Sequence, residues 1–172
     1  LRIHERVFGE NHPDTARIYN NLGVMYEEQG EYEKAKEMHE KSLRIHERVF
    51  GENHPDTARI YNNLGVIYED QGEHEKAKEM HEKSLRIHER VFGEDHPDTA
   101  RSYNNLGEMY KDQGEYEKAT TYYFRAYNIF KFKLGLHHSY TQFTYKDMKI
   151  SYYKWNPDGN FEQWLEENTE ND

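Results

Sequence analysis

The side chains best suited to chemistry in this chain are its 11 histidines, since an imidazole can ligate zinc or carry a proton near neutral pH. Their spacing argues against both roles. His39 and His46 stand seven residues apart, two helical turns or about 10.5 Å, which is too far for one ion. His81 and His88 repeat that spacing, and His12, His54 and His96 recur at one loop position. The adjacent His137 and His138 point two ways. His39-Glu40 and His46-Glu47 lack the second histidine that a zinc-peptidase helix needs. There is no glycine-rich phosphate loop and no nucleophile elbow. The many glutamates recur with the same period as the histidines, which marks them as helix surface. The expectation is therefore no catalytic residue, no metal and no cofactor.

That period is the main fact of the sequence. Residues 1–42 and 43–84 differ at three positions only: Met25 against Ile67, Glu28 against Asp70, and Tyr32 against His74. A third copy from Leu85 differs from the second at 13 positions, and a fourth begins at Tyr127 and decays. A fixed period of 42 residues implies stacked supersecondary units, each too small to bury its own apolar face. With 34% hydrophobic and 33% charged residues the chain is poor in core material, which suits a thin stacked array. Its 15 tyrosines and 8 phenylalanines must supply much of the buried area. The absence of cysteine points to a reducing, cytoplasmic setting. No apolar run is long enough to span a bilayer, and no leader-like segment opens the chain. The net charge of -10 argues against nucleic-acid and anionic-membrane partners, which require a basic surface.

Each copy reads as two helices. In the first, Tyr19, Leu22, Gly23 and Tyr26 lie on one face of a helix A over Thr15 to Gln29. Gly30 ends it as a left-handed cap. In helix B the buried stripe is Ala35, Met38, Ser42, Ile45 and Val49, and Gly51 stops it. Glu37 with Lys41 and Glu40 with Arg44 support it as i,i+4 pairs, each worth about 0.2–0.5 kcal/mol. Pro55 suits the first position of the next helix A. Gly23, in mid-helix, costs about 1 kcal/mol relative to alanine and needs a packing reason; the small Ala35 of helix B is expected to face it. The drifted third copy keeps Tyr103, Asn104, Asn105, Leu106, Gly107, Tyr110, Gly114, Tyr116 and Ala119, the positions expected to carry the packing.

The run Ala16-x-x-Tyr19-x-Asn21-Leu22-Gly23-x-x-Tyr26-x-x-Gln29-Gly30-x-Tyr32-x-x-Ala35, with Ser42 where alanine is usual, resembles the tetratricopeptide repeat. The Tyr-Asn-Asn-Leu-Gly start and the Phe-Gly-Glu-Asn-His-Pro-Asp-Thr loop are similar to the kinesin-light-chain type, found also in nephrocystin-like proteins and in sensor arrays of large signalling ATPases. His39, His81 and Tyr123 stand where the family commonly has an aromatic residue. The resemblance implies an all-α fold, a right-handed α-α superhelix or solenoid of antiparallel helix pairs. Residues 1–9 then read as the tail of a preceding helix B, and 10–51, 52–93 and 94–135 as three repeats. Residues 136–168 read as a degenerate half-repeat with a capping helix, and 169–172 as a disordered tail. In the half-repeat Lys149 takes the glycine's place, and Phe161, Trp164 and Leu165 form the apolar stripe of the closing helix.

Opposite the buried stripe, helix A carries Arg17, Asn20, Val24, Glu27 and Glu28. The columns across copies are Arg17, Arg59, Arg101; Asn20, Asn62, Asn104; Val24, Val66, Glu108; Glu27, Glu69, Lys111; and Glu28, Asp70, Asp112. The resemblance places this face in a concave groove that holds an extended peptide, with the asparagine amides bonding its backbone and the charges orienting it. The carboxylate clamp for chaperone tails needs lysine and asparagine where this chain has Asn20 and Val24, so that partner is not expected. The resulting expectation is a noncatalytic module that binds a protein or peptide. The alternatives are a structural scaffold, self-associating through the uncovered apolar side of Leu1 to Phe8, or the sensor array of a larger signalling ATPase.

Overall fold

The structure, a computed structural model, describes residues 11–169, which fall into two compact units divided between Glu94 and Asp95. The first holds α1 (Pro13–Glu28), α2 (Tyr32–Phe50), α3 (Pro55–Asp70) and α4 (His74–Phe92). The second holds α5 (Pro97–Asp112), α6 (Tyr116–Leu134), α7 (Ser139–Trp155) and α8 (Phe161–Thr169). Among the described residues there is no strand.

Short-range chemistry sets the boundaries. The A helices α1, α3 and α5 each start with proline in the first turn, where no N–H is needed. The histidine before that proline caps the helix: Nδ1 of His12, His54 and His96 accepts from the backbone N–H of Asp14, Asp56 and Asp98 at 3.1–3.2 Å. His138 caps α7 in the same way through Tyr140 N–H. The loop histidines are thus structural, a role their copying with the repeat left unassigned. Each of α1, α3 and α5 ends in a Schellman turn. Gly30 has φ +72°, its N–H donates to Glu27 O, and that of Glu31 donates to Tyr26 O. Gly72 and Gly114 repeat the arrangement.

Within the first unit α1 packs on α2, α2 on α3, and α3 on α4. Ala16, Tyr19 and Ile45 form one buried cluster with Met38, and Ala58, Tyr61 and Ile87 a second with Met80 and with Leu43 from α2. Because α3 is covered from both sides, Ile60 and Ile67 are buried, whereas Met25, at the position of Ile67, is 52% exposed. The central stripe of helix B is as expected at Ala35, Ser42 and Ile45. Val49 is not part of it: at the last turn of α2 it is 42% exposed, as is Phe50. Ser42, standing where alanine is usual, keeps its hydroxyl satisfied by donating to Ala16 O at 2.8 Å.

The second unit packs α5 on α6 and α6 on α7, and α8 closes it. Phe161 is fully buried, with ring centroids of Tyr152 at 5.4 Å, Tyr145 at 5.5 Å and Trp164 at 6.0 Å. Trp164 also meets Phe124 of α6 edge-on at 5.5 Å. Glu162 accepts from Lys149 Nζ at 2.6 Å and from Tyr145 Oη at 3.1 Å, so the lysine that replaces the mid-helix glycine anchors the closing helix. α8 runs through Thr169, the first residue of the segment expected as tail. The segment 1–9 and the last three residues lie outside the described residues.

Candidate functional site

The A and B helices of each repeat meet where a ring from helix B lies across a glycine of helix A. An alanine Cβ at Gly23 would stand 2.6 Å from His39 Cε1, at Gly65 2.4 Å from His81 Cε1, and at Gly107 2.8 Å from Tyr123 Cδ1. The packing reason for the mid-helix glycine is therefore this ring, and not Ala35. All three rings are fully buried. The polar atoms of two of them, His81 and Tyr123, reach residues expected to line a groove. His81 Nε2 lies 2.7 Å from Glu69 Oε1 and Nδ1 lies 3.1 Å from Asn62 Oδ1. Tyr123 Oη donates to Glu108 Oε2 at 2.5 Å, and burial followed by this carboxylate pushes the phenol pKa up.

His39 differs from its near-identical copy. Both its ring nitrogens are buried without a partner, and Asn20 Oδ1 is taken by Asn63 Nδ2 at 3.0 Å. Burial lowers its pKa to about 4. Between that value and the unfolded value near 6.5 the unfolded chain binds the extra proton, so stability rises with pH across this window and is lost as pH falls. The full loss is about 3 kcal/mol. His39→Tyr, which installs the residue of the third copy, is expected to flatten the dependence. Urea unfolding of both proteins from pH 7 to pH 4.5 measures it; parallel curves would contradict the assignment.

The columns expected to form the groove separate into exposed and engaged members. Arg17, Arg59 and Arg101 are exposed and pair with Asp14, Asp56 and Asp98 at 3.2, 3.3 and 3.8 Å. The asparagines are turned inward. Asn20 is only 8% exposed, the Asn62 carbonyl faces His81, and Asn104 Oδ1 accepts from Thr144 Oγ1 at 2.8 Å. The carbonyls expected to accept from a peptide backbone thus bond within the protein. Val24 is exposed, and Val66, Glu69, Glu108 and Lys111 are half-buried. Lys111 pairs with Glu108.

In the first unit α1 and α3 stand side by side, joined by the Asn63–Asn20 bond. Their faces repeat the order arginine, valine, carboxylate: Arg17, Val24, Glu27 and Arg59, Val66, Glu69. Glu27 has its pKa raised by burial, then by the charges of Asp70 and Glu28. In the second unit α5 and α7 are neighbours through Asn104–Thr144 and through Lys111, 3.9 Å from Asp147. The inward ring was the signal sequence reading missed: a bulky residue follows the glycine by 16 positions in every copy. On the helix B side of the first unit, Tyr61, Lys83, Arg86 and Arg90 line an open groove of about 770 Å³ with Glu47 and Glu89. Tyr19, Lys41, Arg44 and Arg48 line its counterpart one repeat earlier, of about 680 Å³. Among the described residues no cluster of three histidines or carboxylates is placed to hold a metal ion, and no helix is long and apolar enough to cross a membrane.

The tetratricopeptide repeat pattern matches residues 1–48, 22–89 and 56–131. The chain belongs to the tetratricopeptide repeat family. Its all-α hairpins share the solenoid fold of solved proteins of that kind. BtubC (BKLC) from P. vanneervenii is 28% identical with a TM-score of 0.73, over 83% of this chain and 57% of BtubC. The chain therefore spans little more than half the length of that relative. A Podosopora anserina protein with nearly identical TPR-like repeats, named for kinesin light chain, is 20% identical with a TM-score of 0.74, over 98% of this chain and 78% of its own. The apo form of RapI is 23% identical with a TM-score of 0.73, over 84% of this chain and 50% of its own. No curated protein matches.

Proposed function

We propose that this tetratricopeptide repeat chain is a noncatalytic interaction module of the cytoplasm, and that an extended segment of a protein partner lies across the outer faces of its A helices. Its repeat units are 10–51, 52–93 and 94–135, followed by the half-repeat and cap of 136–168. The observation that carries the reading is the side-by-side repetition of one chemistry on α1 and α3. Arg17 and Arg59 sit toward one end, Val24 and Val66 in the middle, and Glu27, Glu28, Glu69 and Asp70 toward the other. Burial first, and then the charges of Asp70 and Glu28, raise the pKa of Glu27, and a partner lysine or arginine would favour its charged form. The arginines are held only by exposed ion pairs with aspartates, which contribute little and exchange readily for a partner carboxylate. The segment that fits carries an acidic group at the arginine end, apolar side chains in the middle and a basic group at the other end. The Asn63–Asn20 bond ties the two helices side by side.

A random peptide library selected on the protein tests this. Enriched peptides are expected to share that charge order and to bind at about micromolar Kd, near -8 kcal/mol, with affinity falling as salt rises. The double variant Arg17→Glu, Arg59→Glu is expected to weaken them at least about tenfold, since like charges then oppose the acidic end, with an unchanged circular dichroism spectrum. Undiminished binding by that variant would remove the A-helix face from the reading.

A further inference from the structure

The fourth A helix, α7, presents a different surface at the positions that define the face of α1. Three repeat lengths on from Arg17, Asn20, Val24, Glu27 and Glu28 stand Phe143, Lys146, Ile150, Tyr153 and Lys154. Phe143 is 65% exposed, Ile150 44% and Tyr153 40%, and both lysines are exposed. Neither lysine has a salt-bridge partner among the described residues, and Asp147 beside Lys146 has its pKa raised, by burial first. In a chain of net charge -10, an apolar stripe edged by unpaired cations is a surface without an intramolecular counterpart on its own helix. On α1 the corresponding surface has the opposite character: Val24 and Met25 are exposed, beside Glu27 and Glu28.

The two stripes share one spacing, three, four and three residues, which is the seam along which parallel helices meet position to position. Set parallel and in register, Phe143 meets Arg17 for a cation–π contact, Ile150 meets Val24, the Tyr153 hydroxyl meets the Glu27 carboxylate, and Lys154 meets Glu28. These four positions are complementary, and the fifth sets Lys146 over the buried Asn20. Neither stripe complements itself: two α7 faces bring Lys146 against Lys146, and two α1 faces bring Glu27 against Glu27. We propose that the α7 stripe docks the α1 stripe of a second copy of this chain, head to tail. Such a heterologous contact leaves one α7 face and one α1 face unused in every dimer, so it extends into open chains as concentration rises. The inference does not rest on a foreign partner segment, which would compete for the same α1 face.

Sedimentation velocity of the whole chain at increasing concentration provides the test. Wild-type protein is expected to shift from monomer to larger species, and to return to monomer in high salt as the charge contacts are screened. Lys146→Glu with Lys154→Glu, and separately Glu27→Lys with Glu28→Lys, are each expected to stay monomeric with unchanged circular dichroism. An equimolar mixture of the two variants is expected to associate again, because each then carries the charge the other lacks. A wild-type chain that remains monomeric at every concentration overturns the proposal, as does a mixture that fails to associate. The Lys146, Lys154 variant leaves α1 and α3 untouched, so its capture of library peptides is unaffected whichever way the self-association result falls.

Discussion

Phe161→Ala is expected to release α8 and lower the melting temperature of the second unit by roughly 10 °C, the largest stability effect of any single side chain discussed for this unit. The ring is fully buried and is the hub of the Tyr145, Tyr152 and Trp164 contacts. Truncating a buried phenylalanine to alanine costs about 3–5 kcal/mol through lost burial and the cavity left behind. A nine-residue helix held mainly by this cluster has too few other contacts to absorb that loss, so it detaches as a local unit before the rest unfolds. Trp164, freed from Phe124 and Tyr152, should then emit at longer wavelength at temperatures where α5 to α7 remain helical by circular dichroism. Phe161→Leu, which keeps most of the volume, should retain most of the stability. An unchanged melt for the alanine variant would mean that α8 contributes nothing to closing the unit.

Gly65→Ala is expected to destabilise the first unit by about 2 kcal/mol, although alanine is by itself the better helix former by about 1 kcal/mol. The added Cβ would lie 2.4 Å from His81 Cε1, and the ring cannot yield cheaply, because moving it breaks its contacts with Glu69 and Asn62. Gly23→Ala makes the matching experiment within the same protein. His39 has no hydrogen bond to lose, so its ring shifts more freely and the cost should be smaller. Adding His81→Ala to Gly65→Ala should recover part of the loss, and a double-mutant cycle by urea unfolding reads the coupling directly. Equal costs at Gly23 and Gly65 would show that the hydrogen bonds of His81 do not hold its ring in place.

The difference between these two glycines shows where sequence reading ends. The helices, their caps and their pairing follow from the 42-residue period together with proline, glycine and the apolar stripe, all of which act within a few residues. The closing role of Phe161 and Trp164 was legible for the same reason, since both fall on one short amphipathic stretch. The exposed Val49 was not, because the stripe of a helix says nothing about how far the facing helix extends beside it. The partner of Gly23 lies on another helix, where Ala35 and His39 are one turn apart and only packing chooses between them. The asparagine columns were recognised as a column but assigned the wrong direction. Asn20 and Asn62 are identical in their flanking sequence, yet one bonds Asn63 and the other faces His81, a choice set by neighbouring helices. Arg17, Arg59 and Arg101 are exposed as a surface column should be, whereas Glu69 and Glu108 also turn to the buried rings of His81 and Tyr123, a second choice set by the neighbouring helix.

The central claim is that a protein segment is held on the A-helix faces of α1 and α3, and photocrosslinking tests it most directly. A benzophenone amino acid installed at Val66, on the A-helix side, and separately at Arg86, in the groove on the helix B side, is irradiated with a labelled peptide selected from the library. Crosslinking from position 66 and none from position 86 is the predicted result. Crosslinking from position 86 with none from position 66 would place the segment on the opposite side and contradict the account.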